Sequence, residues 1–200
     1  MSQIKLLHSG GNGVSIVAPD SNPASDRTLK LPSDVNSTID TLNRAGNILQ
    51  VVQTVKTDTT SINTIDSWTD ISGMSVSITP SSSSNKILVT AVANTSAYQG
   101  SYYILRLEKN GTPIATGDSS GNRSLGYFGQ GYWDHSEIVE NSVVNFLDTA
   151  GSTSAITYNL AWYLAHQSGS SLYLNRCQYD ANQDYAPRMS STITVMEIAA

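Results

Sequence analysis

Residues 48–92 read ILQVVQTVKTDTTSINTIDSWTDISGMSVSITPSSSSNKILVTAV, and the second half of this stretch decides the fold. Met74, Val76 and Ile78 alternate with Ser75, Ser77 and Thr79; Pro80 and four serines interrupt; then Ile87, Val89 and Ala91 resume the period of two. Alternation of this kind marks strands with one buried face, so the stretch predicts strand, polar turn, strand. A two-stranded ribbon cannot bury its apolar face alone, and later strands must close over it.

Those strands follow. Tyr103, Leu105 and Leu107 share one face, with Tyr102, Ile104 and Arg106 on the other, as in a central strand of a sandwich. Asn110-Gly111 is a hairpin signal that should return Thr112–Thr116 against Ile104–Glu108. Val143, Asn145 and Leu147 alternate with Val144, Phe146 and Asp148, up to Thr149-Ala150-Gly151. The longest alternation places Ile156, Tyr158, Leu160, Trp162 and Leu164 on one face. Short strands are also expected at Leu172–Arg176 and Thr192–Ile198. About eight strands joined by Ser- and Gly-rich turns predict an all-β fold, an antiparallel β-sandwich of jelly-roll type.

Composition agrees. Ser and Thr make up roughly a quarter of the chain and only 14% of residues are charged, which favours strands with hydroxylated outer faces over surface helices. Two hundred residues suffice for one β domain with an appendage. A net charge of -5, with no cluster of Lys and Arg, argues against nucleic-acid binding. Cys177, the single cysteine, excludes an intrachain disulfide and lacks the neighbours of a zinc site. No apolar run has the length of a secretory core or a membrane span, so synthesis in the cytoplasm without membrane insertion is expected.

Upstream of Ile48 the chain reads as an attachment arm. Ile4, Leu6 and Leu7 form a short strand, His8–Gly13 a turn, and Val14, Ile16 and Val17 a second strand. After a loop from Pro19 to Asp26, Leu29 and Leu31 form a third, closed by Pro32. Strands so few and short should pair with copies of themselves or with a partner. Ser33 is a fitting N-cap, Val35, Ile39 and Leu42 follow at helical spacing, and Gly46 can end the turn. So short a helix either packs with its copies about an axis, making Val35, Ile39 and Leu42 trimer contacts, or lies as a cap on its own domain. The expected division is an arm over 1–32, a helical linker over 33–47 and a head over 48–200.

Catalytic chemistry finds little support. His8, His135 and His166 are widely separated, and adjacent Asp134-His135-Ser136 would point in different directions on an extended chain. No GxSxG motif occurs, nothing selects a carboxylate pair among Glu137, Glu140, Asp180 and Asp184, and Gly10–Gly13 lacks the lysine and hydroxyl of a phosphate loop. No enzyme activity, metal or cofactor is expected, and Cys177 reads as a packing residue. Two aromatic segments remain. Gly126–His135 is expected to fill the core or a subunit interface. In Gln178–Tyr185, Tyr179 and Tyr185 stand among Asp180, Asn182 and Asp184. Rings stack on the apolar faces of sugars while amides and carboxylates bind hydroxyls, so these five residues are the expected ligand contacts.

The runs ILQVVQTVKTDT from Ile48, WTDISGMSVSITPSSSSNKILV from Trp68, LRLEKNGTPIATGD from Leu105 and STITVMEIAA from Ser191 resemble the C-terminal head of tail-fibre-like structural proteins of cyanophages and other marine phages. Gly11–Asp34 looks like the short β repeats before such heads. The resemblance covers Ile48–Ala200 and rests on strand and turn signatures. It implies a homotrimeric appendage on the virion surface, bound to other virion proteins through its arm and displaying one sandwich per subunit toward a host glycan or protein receptor. The stretch before the head is short beside a long fibre's shaft, which leaves open a capsid decoration, cement or head-fibre protein. Both are non-enzymatic.

Overall fold

The computed structural model describes residues 3–7, 10–11, 13–17, 44–98, 100–131, 135–165 and 169–200. The chain forms two compact units, Met1–Ile39 and Asp40–Ala200. In the first, β1 (Gln3–Leu7) and β2 (Gly13–Val17) pair antiparallel with each other. The third short strand at Leu29–Leu31 and the trimer contacts Val35, Ile39 and Leu42 lie outside the described residues. Of the expected linker helix, only Arg44–Asn47 is described, and it is a turn, with Asn47 N donating to Arg44 O at 3.0 Å.

The second unit contains β3 (Ile48–Lys56), β4 (Thr60–Ile62), β5 (Trp68–Ile78), β6 (Lys86–Ala97), β7 (Tyr102–Lys109), β8 (Thr112–Ile114), β9 (Phe128–Gly131), β10 (Glu140–Thr149), β11 (Ile156–Ala165), β12 (Leu172–Leu174) and β13 (Ser191–Ile198). The first sheet runs β3-β13-β6-β10, and the upper part of β6 also takes β12, which carries β4. The second sheet runs β5-β11-β7, with β8 and β9 sharing the free edge of β7. Short β4 and β12 extend the rows of β3 and β13, and β8 and β9 fill one row between them. The sandwich therefore has eight strand positions, ordered 1-8-3-6 and 2-7-4-5 along the chain. That is a jelly roll, as the alternation predicts.

The residues that alternate are those that pack. Every member of the face Ile156, Tyr158, Leu160, Trp162, Leu164 is at most 1% exposed, and Met74, Val89, Leu105 and Val195 meet it between the sheets. The Asn110-Gly111 turn has positive φ at both residues (50° and 76°), the backbone a tight hairpin needs, and β8 returns along β7. It returns for three residues only, because Ala115 turns left-handed at φ 54°. The strand expected at Leu172–Arg176 likewise stops at Leu174, where Asn175 adopts φ 63°.

One expectation is overturned. The strands around Pro80 do not form a ribbon: β5 belongs to the second sheet and β6 to the first. The loop between them is held by Glu197, a fully buried carboxylate on β13. Its oxygens accept from Ser81 N (2.7 Å), Ser81 Oγ (2.8 Å), Asn85 Nδ2 (2.7 Å) and Gln50 Nε2 (2.5 Å). The serine loop is thus drawn over the end of the sandwich and delivers the chain to the opposite sheet. Burial pushes this carboxyl up, but the hydrogen bonds outweigh burial and bring it to about 2.

Register also fixes the two ends of the sandwich. The chain enters at Gly46-Asn47, bonded to Ala199, and this end holds the 79–85 loop, the Asn110-Gly111 turn and the 150–155 loop. The 135–139 and 175–190 segments lie at the opposite end.

Candidate functional site

The loop after β12 is built on a rigid neck. Asn175, fully buried, donates from Nδ2 to Lys56 O (2.8 Å) and Asp58 O (2.9 Å) and accepts from Ser191 Oγ (2.6 Å). Its backbone bonds Asn94 O and Met189 N, and Arg176 and Arg188 pair as a single antiparallel bridge. Asp180 sits across this neck, 2.5 Å from Arg188 Nη2 and 3.4 Å from Arg176 Nη1. The Arg176 guanidinium also lies 4.0 Å over the Tyr173 ring.

Above the neck, Tyr179 and Tyr185 stack nearly parallel, with ring centroids 6.1 Å apart and planes 8° off, and both are about half exposed. The Tyr179 phenol beside it pushes the Tyr185 hydroxyl above its ordinary range. Tyr179 N donates to Ser136 O (2.9 Å), tying the loop to its neighbour. Asn182 and Asp184 are exposed on the same loop. Cys177 is buried beneath it, its thiol donating to Tyr179 O at 2.9 Å and pushed up by burial, so it is a packing residue.

The five expected contacts therefore divide. Tyr179 and Tyr185 form a ring platform with Asn182 and Asp184 on the same exposed loop, while both oxygens of Asp180 are engaged in holding the loop. A ring pair with nearby amide and carboxylate groups suits a polyhydroxylated ligand. The neck bonds fix the loop before any ligand arrives, which lowers the ordering cost of binding.

Of the first aromatic segment, Tyr127 bridges the sheets at their edge, donating to Asn145 O (2.6 Å) and accepting from Asn145 N (3.1 Å). Phe128 packs 6.4 Å from the Tyr103 ring. Both are packing roles, as expected; Tyr132, Trp133 and Asp134 lie outside the described residues.

Two features escape a reading of single strands. On the outer face of the second sheet, Arg106 lies 4.0 Å over Trp68, whose ring is 5.4 Å from Tyr163; Arg106 also pairs with nearly buried Glu108 at 2.5 Å. Asn159 then donates to Glu108 (2.9 Å) and to Asp70 (3.1 Å), so this cluster is saturated by its own bonds. On the outer face of the first sheet, register aligns Leu147, Leu88, Met196 and Val51 in one row. Val143, Val92, Thr192 and Val55 form another, and Asn145, Thr90, Thr194 and Gln53 lie between them. The rows carry no charge, and the edge residues Val51, Val55, Val143 and Leu147 are 52–55% exposed. The available signal was that the strand Val143–Asp148 is apolar on both faces.

No protein-family model matches the chain. No curated protein matches it. Among solved structures, it is similar to a chain in the structure of infectious bursal disease virus Gt strain, at 16% identity over 95% of this chain and 48% of the viral one, with a TM-score of 0.41. A chain in the structure of the Gx strain of that virus aligns at 14% identity over 94% and 48%, with a TM-score of 0.39. This chain spans about half the length of the viral chains it matches.

Proposed function

We propose that this chain is a non-enzymatic structural component of a phage particle, a homotrimeric tail fibre or tail appendage that contacts a host surface glycan or protein receptor. The observation that carries the reading is the stacked Tyr179–Tyr185 pair on a braced loop, at the end of the sandwich opposite to chain entry. An appendage held to the virion by residues 1–47 would present that end outward. The phage setting is supported by the resemblance of Ile48–Ala200 to tail-fibre heads. Three copies multiply weak single contacts through effective concentration.

Particles carrying Tyr179→Ala with Tyr185→Ala should adsorb to host cells at least about tenfold more slowly, because the loss recurs at each of three linked sites. Trimer mass and melting temperature should be unchanged, since both rings are exposed and the neck bonds do not involve them. A capsid decoration or cement protein is the second reading, favoured by the charge-free rows at the centre of the first sheet's outer face, which could lie on a capsid. Unchanged adsorption with full incorporation selects it.

A further inference from the structure

We propose, resting on the trimeric reading above, that three copies of this chain meet through the outer face of the first sheet, with the β3 edge of one copy against the β10 edge of the next. The face is four strands wide, and over Val143–Thr149 it covers a footprint of about 450 Å2 at ordinary strand spacing and rise. A stable contact takes about 800 Å2 from each partner and a copy in a ring of three makes two, so the face supplies over a quarter of the surface needed before side-chain relief is counted. Its charge-free centre has the composition of an interface core.

The banding identifies the partner. Both edges carry the same sequence of bands, apolar, polar, apolar: Val143, Asn145, Leu147 on β10 and Val55, Gln53, Val51 on β3. Cross-strand register holds each pair at one height. Rotation about an axis along the strands leaves height unchanged, so in a closed ring Val143 arrives at Val55, Asn145 at Gln53 and Leu147 at Val51. An unlike partner is ordinarily selected by complementary charge, and within this footprint the charge is Lys86 at one margin, its Nζ already donating to Thr149 Oγ1 (2.8 Å) on the same face. A second copy needs none.

The test uses the full chain. Val55→Cys with Val143→Cys should give covalent oligomers up to the trimer on a non-reducing gel, and neither single substitution should; Cys177 is buried and stays outside the exchange. Val51→Glu with Leu147→Glu should lower the mass by light scattering from about three times 21.4 kDa to one. Val51→Lys with Leu147→Glu adds as many charges but places opposite signs across the contact, and should remain trimeric, which separates interface repulsion from misfolding. A wild-type trimer that gives no cross-link and survives Val51→Glu with Leu147→Glu overturns this inference and leaves the trimeric reading standing. Residue 55 thiols protected from maleimide without cross-linking mean another occupant, the arm or a virion partner, and also overturn it. A monomeric wild type at micromolar concentration overturns both.

Discussion

Glu197→Ala should lower the stability of the sandwich by about 3 kcal/mol, read as a fall in the urea midpoint with unchanged slope. The carboxylate is fully buried and accepts from Gln50, from both donors of Ser81 and from Asn85, so its removal leaves those donors without their acceptor. Protonating the carboxyl in place should cost a similar amount. The folded carboxyl lies at about 2 against an ordinary 4.5, and a depression of that size is linked to about 3 kcal/mol. Because the folded value is the lower one, this stability is fully present above pH 4.5 and is lost as pH falls toward 2. Glu197→Gln keeps the volume and should flatten the stability profile across that window. A Gln variant with wild-type acid dependence would assign the dependence to other carboxylates.

Asn175→Ala is expected to cost about 3 kcal/mol as well, from two unpaired carbonyls, one unpaired hydroxyl and a left-handed backbone that alanine adopts poorly. Asn175 has φ 63° and braces Lys56, Asp58 and Ser191 at the base of the Tyr179–Tyr185 loop. Asn175→Gly retains the conformation without the side-chain bonds and should recover about 1 kcal/mol of the loss. Hydrogen exchange should rise through 176–188 in both variants while the β6 and β11 amides stay protected. Equal stability of Asn175→Ala and wild type would contradict this account of the neck.

Period-two alternation carried the architecture because each strand's inner face had to be apolar whatever it paired with. Tyr158, Leu160 and Trp162 could be placed in the core from their spacing alone. Pairing partners were not legible in the same way. The step of the chain between sheets at Pro80 is held by Glu197, 116 residues beyond Ser81, and no local pattern reports a contact that distant. The candidate loop was legible as composition, two rings among amides and carboxylates. That Asp180 would be spent on Arg176 and Arg188 required the Arg176–Arg188 bridge, which closes a loop of irregular backbone. The charge-free rows of the first sheet required three registers at once.

The most direct measurement of the central claim is a reconstruction of the particle proposed to carry this chain. The account predicts threefold density on the tail, with the chain-entry end of each jelly roll toward the particle and the 175–190 end outward. Jelly rolls lying across the capsid surface, with Tyr179 and Tyr185 buried against a neighbouring protein, would contradict it.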